Sequence, residues 1–386
     1  MHIPDGYLSP QTSAMFAAGM LPLWWQSARR VQKVVKSRYV PLLALGAAFS
    51  FVIMMFNVPV PDGTTAHAVG GGLIAVLLGP WAACIAVSIA LLIQALFFGD
   101  GGVLAYPVNA FNMAILLPFV AYGTYRLLAG AAPLTSPRRV WSAAIGAYLG
   151  LNVSALATAV EFGLQPELFH KADGTPLYAP FHLAQSVPAM LLPHLLVAGL
   201  VEAAVTAGVL AYLQRANLPV LRINAPKAAL PGGPGRRPAS PVRVGLVTLG
   251  ILAVISPLGL LAPGSAFGES RPANLDLARY HLGAVPAGLK RYADFWGSTL
   301  LPGYGNGSGW QYVLSAVIGM AAIALVAGGL VWLLRRVRGG EAEAAAIDAP
   351  AAGTGPEALE APPVPGKSPE PGESRAAAGH PSGAAA

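Results

Sequence analysis

Gly63–Gly99 reads GTTAHAVGGGLIAVLLGPWAACIAVSIALLIQALFFG and contains no Lys, Arg, Asp or Glu. Crossing a bilayer takes about 20 predominantly apolar residues, because only a helix satisfies all its backbone groups within hydrocarbon. This stretch is long enough for two such helices, and Gly79-Pro80 at its middle is a tight-turn signal. Working outward, the chain repeats the pattern. Gly6–Ala28, Tyr39–Pro61, Val103–Tyr125, Val140–Val160, Leu183–Val201, Val244–Gly268 and Gly309–Leu334 are also uncharged. The expected fold is therefore all-α: a polytopic membrane protein with seven helices in one unit and two more near the C-terminus.

Composition agrees. Of 386 residues, 55% are hydrophobic and 11% charged, against about 25% charged in a soluble domain. A water-soluble globular protein is excluded. The single cysteine, Cys84, rules out a disulfide framework or a cysteine-based metal site. A net charge of +7 would suit nucleic acid, but the positions of the cations point to a membrane instead. Basic residues concentrate in alternate connections: Arg29 to Arg38, Arg126 to Arg139, Arg215 to Arg243, and Arg335 to Arg338. The intervening connections hold only Lys171, Arg271, Arg279, Lys290 and Arg291. Positive residues remain on the cytoplasmic side, so the N-terminus is expected outside and the C-terminus in the cytoplasm. No basic stretch precedes the first apolar run and no cleavage site follows it, so residue 1 is expected to persist in the mature chain.

Four parts follow: a membrane unit over 1–215, a basic cytoplasmic linker over 216–243, a two-helix part over 244–334, and a tail over 335–386. The tail is rich in Ala, Pro, Gly and Glu and is expected to be disordered. Its Gly366-Lys367-Ser368 is no phosphate-binding loop, because the glycine required five positions earlier is Ala361. No ATPase is expected on this chain.

The inferred orientation gathers His2, Asp5, Asp62, His67 and Asp100 on the outer face, which suggests a cation site. A free α-amine, the next backbone amide and a position-2 imidazole can form fused chelate rings around one metal ion, and His67 could supply a fourth nitrogen. Nitrogen-rich planar coordination suits nickel or copper. Asp62 and Asp100 would raise the local cation concentration or simply be solvated. Asn57, Thr64, Thr65, Gln94, Asn109 and Asn112 are polar groups in or beside helices. Two roles are open to them: bonding helix to helix, or orienting His2 and His67 and fixing their tautomers. His194 and Glu202 are ionisable groups within a span and therefore candidates as well.

The opening Met1-His2-Ile3-Pro4-Asp5-Gly6-Tyr7-Leu8-Ser9-Pro10 resembles the N-terminus of the CbiM/NikM family. So do Asn57-Val58-Pro59-Val60-Pro61-Asp62-Gly63-Thr64-Thr65-Ala66-His67, Phe98-Gly99-Asp100-Gly101-Gly102 and Asn109-Ala110-Phe111-Asn112-Met113-Ala114. Members of that family are the substrate-capture components of energy-coupling-factor transporters for cobalt and nickel. The resemblance implies a metal held by the Met1 amine, the His2 amide nitrogen, the His2 imidazole and the His67 imidazole. It implies Ni²⁺ or Co²⁺ as transported substrate, with no permanently bound cofactor. It also implies two partners in the bilayer complex: a membrane coupling protein of CbiQ/NikQ type and an ATPase of CbiO/NikO type. Residues 244–334 resemble the two-helix CbiN/NikN accessory subunit through Ser256–Gly264 and Gly268-Glu269, although its usual Pro-Asp-Gly-Leu-Glu signature is missing. The alternative reading is a stand-alone secondary permease driven by an ion gradient.

Overall fold

The structure is a computed structural model that describes residues 1–34, 40–60, 64–225, 240–261, 275–305 and 307–347. It is helical nearly throughout. The N-terminal loop leads into α1 (Pro10–Val34) and then α2 (Val40–Met54). A two-residue antiparallel pair, β1 (Val58–Pro59) and β2 (Thr65–Ala66), places Val58 opposite Ala66. α3 (Gly71–Leu78) and α4 (Pro80–Ile93) follow, then α5 (Tyr106–Ala110), α6 (Leu117–Ala129) and α7 (Pro137–Gly163). The short α8 (Gln165–Leu168) precedes α9 (Leu183–Pro193), α10 (Gly199–Ala216) and α11 (Leu218–Leu221). The C-terminal part contributes α12 (Pro241–Ile255), α13 (Ala287–Tyr292) and α14 (Gly309–Ile347).

Three wide π turns join consecutive helices into longer rods: Gln94–Phe98 after α4, Phe111–Leu116 between α5 and α6, and His194–Ala198 between α9 and α10. Such turns are rare and recur at functional sites. Each of these three carries a polar side chain that the sequence had marked: Gln94, Asn112 or His194.

Among the described residues, six rods are long and apolar enough to cross a membrane: Pro80–Phe98, Tyr106–Ala129, Pro137–Leu168, Leu183–Ala216, Pro241–Leu261 and Gly309–Gly329. The chain is a multi-pass membrane protein. The stretch Gly63–Gly99, expected to give two crossings, contains one helix of that length among its described residues. Its second half is the rod Pro80–Phe98. Its first half forms only the 8-residue α3, which rises about 12 Å. Residues 64–70 are extended or irregular and wholly buried, so protein rather than lipid surrounds their backbone. Buried irregular chain and buried helix are equally apolar, and this is why hydropathy did not separate them. The expected turn is present: Gly79 adopts φ 92°, a value that favours glycine, and Pro80 opens α4.

Residues Met1–Arg335 make one compact unit, and the C-terminal helices are packed into it. Tyr312 of α14 donates to the Met55 carbonyl at 2.6 Å, and Trp296 Nε1 donates to the Leu96 carbonyl at 2.9 Å. The expected linker is also partly structured. Asn224 Nδ2 donates to the Ala75 and Val76 carbonyls in the last turn of α3, where the Ala75 carbonyl also accepts from the Gly79 amide. Residues 226–239 of that linker lie outside the described residues. The second unit begins at Arg336. Its described residues, 336–347, are helical rather than disordered, in keeping with the good helix formers Glu and Ala there. The rest of the expected disordered tail, residues 348–386, lies outside the described residues.

Candidate metal centre

The N-terminal loop is threaded into the protein. Met1 and Ile3 are fully buried and His2 is 1% exposed. Three grips hold the loop there. Asn109 of α5 clamps the Ile3 backbone at two points: its Oδ1 accepts from the Ile3 amide at 2.8 Å and its Nδ2 donates to the Ile3 carbonyl at 3.0 Å. The Gly102 amide donates to the same carbonyl at 2.8 Å. The Asp5 carboxylate accepts from the amides of Val103, Leu104 and Ala105, at 3.0, 2.8 and 3.2 Å, just ahead of α5. Anions are favoured at helix N-termini. Burial nonetheless raises the Asp5 pKa, and these three donors oppose it.

The Met1 amine meets the His67 ring at the tip of this loop, with the His2 ring stacked alongside. The Met1 amine lies 3.0 Å from His67 Nε2 and 3.0 Å from Thr65 Oγ1, and it also donates to the Thr65 carbonyl. The His2 and His67 rings stack with centroids 4.7 Å apart and planes inclined by 26°. His67 Nδ1 donates to the Ala68 carbonyl at 3.1 Å, so the lone pair of the ring is at Nε2, facing the amine. Burial, then the charge of the amine, then His2 hold His67 well below the usual histidine range. Burial lowers His2 as well, with Asp100 opposing. Both rings are neutral at pH 7, the form that binds metals.

The surroundings sort the expected helpers. Thr64 Oγ1 donates to the His2 carbonyl, Thr65 holds the amine, and Asn109 holds Ile3. Gln94 Oε1 lies 3.2 Å from His2 Nε2. Asn112 belongs elsewhere: its Nδ2 donates to Thr158 Oγ1 at 3.1 Å and to Glu161 at 2.6 Å. Asn57 is half-buried in the turn after α2 and makes no hydrogen bond to either histidine. Asp62 lies outside the described residues. Asp100 departs from expectation. Rather than facing solvent at a mouth, it is 4% exposed, with Oδ1 3.2 Å from His2 Nδ1. That pair has ion-pair distance without hydrogen-bond alignment, and His2 Nδ1 is left a buried atom with no hydrogen bond.

Two further side chains take part: Glu202, a candidate already named, and Tyr304, which no motif singles out. Glu202 of α10 accepts from the amides of Val69, Gly70 and Gly72, at 2.8, 2.8 and 3.2 Å. It thereby fixes the segment that carries His67 and satisfies the start of α3. Its intramembrane position marked it, but its partner could not be read. Tyr304 of the C-terminal part bonds to both Gln94 and Asp100. Only its place between Gly303 and Gly305 sets it apart in the sequence.

Among the described residues, no group of three His, Cys, Asp or Glu side chains could hold a metal. The arrangement offers main-chain nitrogen instead. With metal–nitrogen bonds of about 2.0 Å, neighbouring donors in a square plane stand about 2.8 Å apart. The 3.0 Å separation of the Met1 amine and His67 Nε2 is close to that edge. An amine, the following amide and Nδ1 of the next imidazole close a five-membered and a six-membered ring.

The chain is similar to known transport proteins. The family model CbiM, described as the cobalt uptake substrate-specific transmembrane region, matches residues 2–219. The fused nickel transport protein NikMN of Rhodobacter capsulatus is 47% identical over 340 residues, which cover 84% of this chain and 95% of the relative. The probable fused nickel transport protein LarMN of Lactiplantibacillus plantarum is 43% identical over 343 residues, covering 86% and 97%. A crystal structure of a truncated transition metal transporter, 56% identical, superposes with a TM-score of 0.53, covering 55% of this chain and 98% of the other.

Proposed function

Since the chain belongs to the CbiM family of metal-uptake membrane proteins, we propose that it is the substrate-capture subunit of an ATP-driven energy-coupling-factor transporter. It binds Ni²⁺ or Co²⁺ at the extracytoplasmic face and delivers the ion across the cytoplasmic membrane. The N-terminus is outside and the C-terminus is cytoplasmic. ATP is hydrolysed on a separate subunit of CbiO/NikO type, coupled through a membrane protein of CbiQ/NikQ type. The metal is held by the Met1 amine, the His2 amide nitrogen, His2 Nδ1 and His67 Nε2. Thr64, Thr65, Gln94 and Asn109 hold these donors in place.

The observation that carries this reading is the buried convergence of the Met1 amine on His67 Nε2 at 3.0 Å, with His2 Nδ1 unbonded beside them. Four nitrogens in a plane favour Ni²⁺ over Co²⁺, and the names of the two fused relatives support the same ion. Metal analysis of the purified protein, with competition among Ni²⁺, Co²⁺, Cu²⁺ and Zn²⁺, tests the site. Uptake into reconstituted vesicles tests the energy source. Transport that requires ATP and all partners is expected, whereas uptake by this chain alone under an ion gradient would establish the permease reading instead.

A further inference from the structure

We propose that Tyr304, contributed by the C-terminal part, is a positioning residue that keeps His2 in the tautomer whose Nδ1 is free for metal. This rests on the reading above, in which His2 Nδ1 is a donor.

The argument is one of proton counting along four side chains. The Tyr304 hydroxyl has one proton, and it goes to Asp100 Oδ2, which as a carboxylate oxygen only accepts. The same hydroxyl must therefore accept from its other neighbour, Gln94 Nε2 at 2.8 Å. An amide's oxygen and nitrogen are told apart by the bonds around them. With its nitrogen committed to Tyr304, Gln94 presents Oε1 to His2 Nε2 at 3.2 Å. That oxygen can only accept, so His2 carries its proton on Nε2 and its lone pair on Nδ1. The unaligned, unbonded state of Nδ1 beside Asp100 agrees.

Without the hydroxyl the alternative is open. Gln94 can flip and donate to Nε2, and His2 can then give an Nδ1 proton to Asp100. The chelating nitrogen would be blocked. The structure holds Tyr304 firmly in its role. Its backbone is left-handed, φ 64°, which is uncommon for a tyrosine. Its carbonyl accepts from Ser315 Oγ at 3.1 Å, and its ring stacks on Phe98 and meets Phe51 and Tyr312 edge-on. The C-terminal part is thus a contributor to the metal site and not only an appendage of it.

The test uses the full chain in detergent, with ¹⁵N-labelled histidine and Ni²⁺ as the probe. The His2 signals are assigned by their loss in His2→Ala. Wild type is expected to show an Nε2–H His2 before metal is added. Tyr304→Phe keeps the ring packing and removes only the hydroxyl. It should shift His2 toward Nδ1–H and weaken Ni²⁺ binding about tenfold, the lower end for partners that orient a ligand. Tyr312→Phe removes a neighbouring hydroxyl that donates to the Met55 carbonyl rather than to Gln94 or Asp100, and should match wild type. An unchanged tautomer and affinity in Tyr304→Phe would overturn the proposal, as would an equal loss in Tyr312→Phe. An Nδ1–H tautomer in the wild type overturns it even if Tyr304→Phe does not fold. If His2→Ala binds Ni²⁺ as tightly as wild type, the reading of the site itself fails, and this proposal with it.

Discussion

Acylating the Met1 nitrogen, by an N-terminal tag or a retained formyl group, separates the amine-ligand mechanism from a generic two-histidine site. In the structure Met1 is fully buried and its nitrogen stands 3.0 Å from both His67 Nε2 and Thr65 Oγ1. An amide in its place adds a carbonyl carbon about 1.3 Å from that nitrogen, within a space already walled by those atoms. It also lacks the basic lone pair. Four-donor sites reach about 10–16 kcal/mol of apparent binding energy, so one donor is worth about 3 kcal/mol, or roughly a hundredfold in Kd. Loss of the chelate ring and undocking of the loop add to that. Equilibrium dialysis against Ni²⁺, on protein whose uncleaved N-terminus is verified by intact mass, should show at least this loss with membrane insertion unaffected. Wild-type affinity in the tagged protein would refute the amine as ligand even if His2 and His67 proved essential.

His67→Ala removes a donor at the edge of an irregular segment; Ni²⁺ binding should fall about a hundredfold, with the melting temperature in detergent close to wild type. Because burial lowers both His2 and His67 from the usual histidine range, their protons weigh less in the pH dependence of binding near neutrality than those of exposed imidazoles. The amide proton and, below its ordinary pKa of about 7.7–8.0, the amine proton must leave. Affinity should therefore rise with pH by at least one decade per unit for the amide proton, and more steeply wherever the amine is protonated, as titration calorimetry can measure; a pH-independent affinity would exclude the amide nitrogen as a donor. Gly102→Ala places a Cβ 2.1 Å from Asp5 Oδ1 and 2.4 Å from the Asp5 amide, so the N-terminal loop must shift. Overpacking of this kind costs about 1–3 kcal/mol, and Ni²⁺ affinity should drop about five- to a hundredfold in a protein that still inserts. Deleting residues 341–386 should leave metal uptake by the assembled transporter unchanged in a radiotracer assay, since that segment is polar and lies at the far end of the chain from the site.

The crossing helices were legible because hydrocarbon allows little else: a charge-free run such as Leu183–Val201 has one solution. What failed to show was backbone whose burial is supplied by protein. Thr64 to Gly70 have the composition of a span and the conformation of a loop. The proposed donors stood out because His2 follows the α-amine directly and His67 is the single histidine in its run. Thr64, Thr65 and Asn109 stood out as polar groups amid apolar sequence, and the structure gathers all three at the N-terminal loop. Asn112 stood out equally and bonds elsewhere, because polarity marks a group that needs a partner without naming it. Tyr304 and Glu202 lie far along the chain from what they hold, and no local pattern encodes such a pairing.

The π turn at Gln94–Phe98 has a bearing on insertions and deletions. A π turn contains close to one residue more than an α turn, so losing a residue such as Ala95 would regularise the rod rather than break it. Because the surplus residue goes with the bulge, Gly99 and Asp100 beyond it keep their place, whereas a deletion within α4 itself turns every residue between the cut and the bulge by about 100°. The same surplus residue can absorb a deletion elsewhere in α4 by migrating, with Asp100 kept where it is. A single-residue deletion should therefore be tolerated best within that turn, at a residue such as Ala95, and least early in α4, where it would rotate a buried packing face.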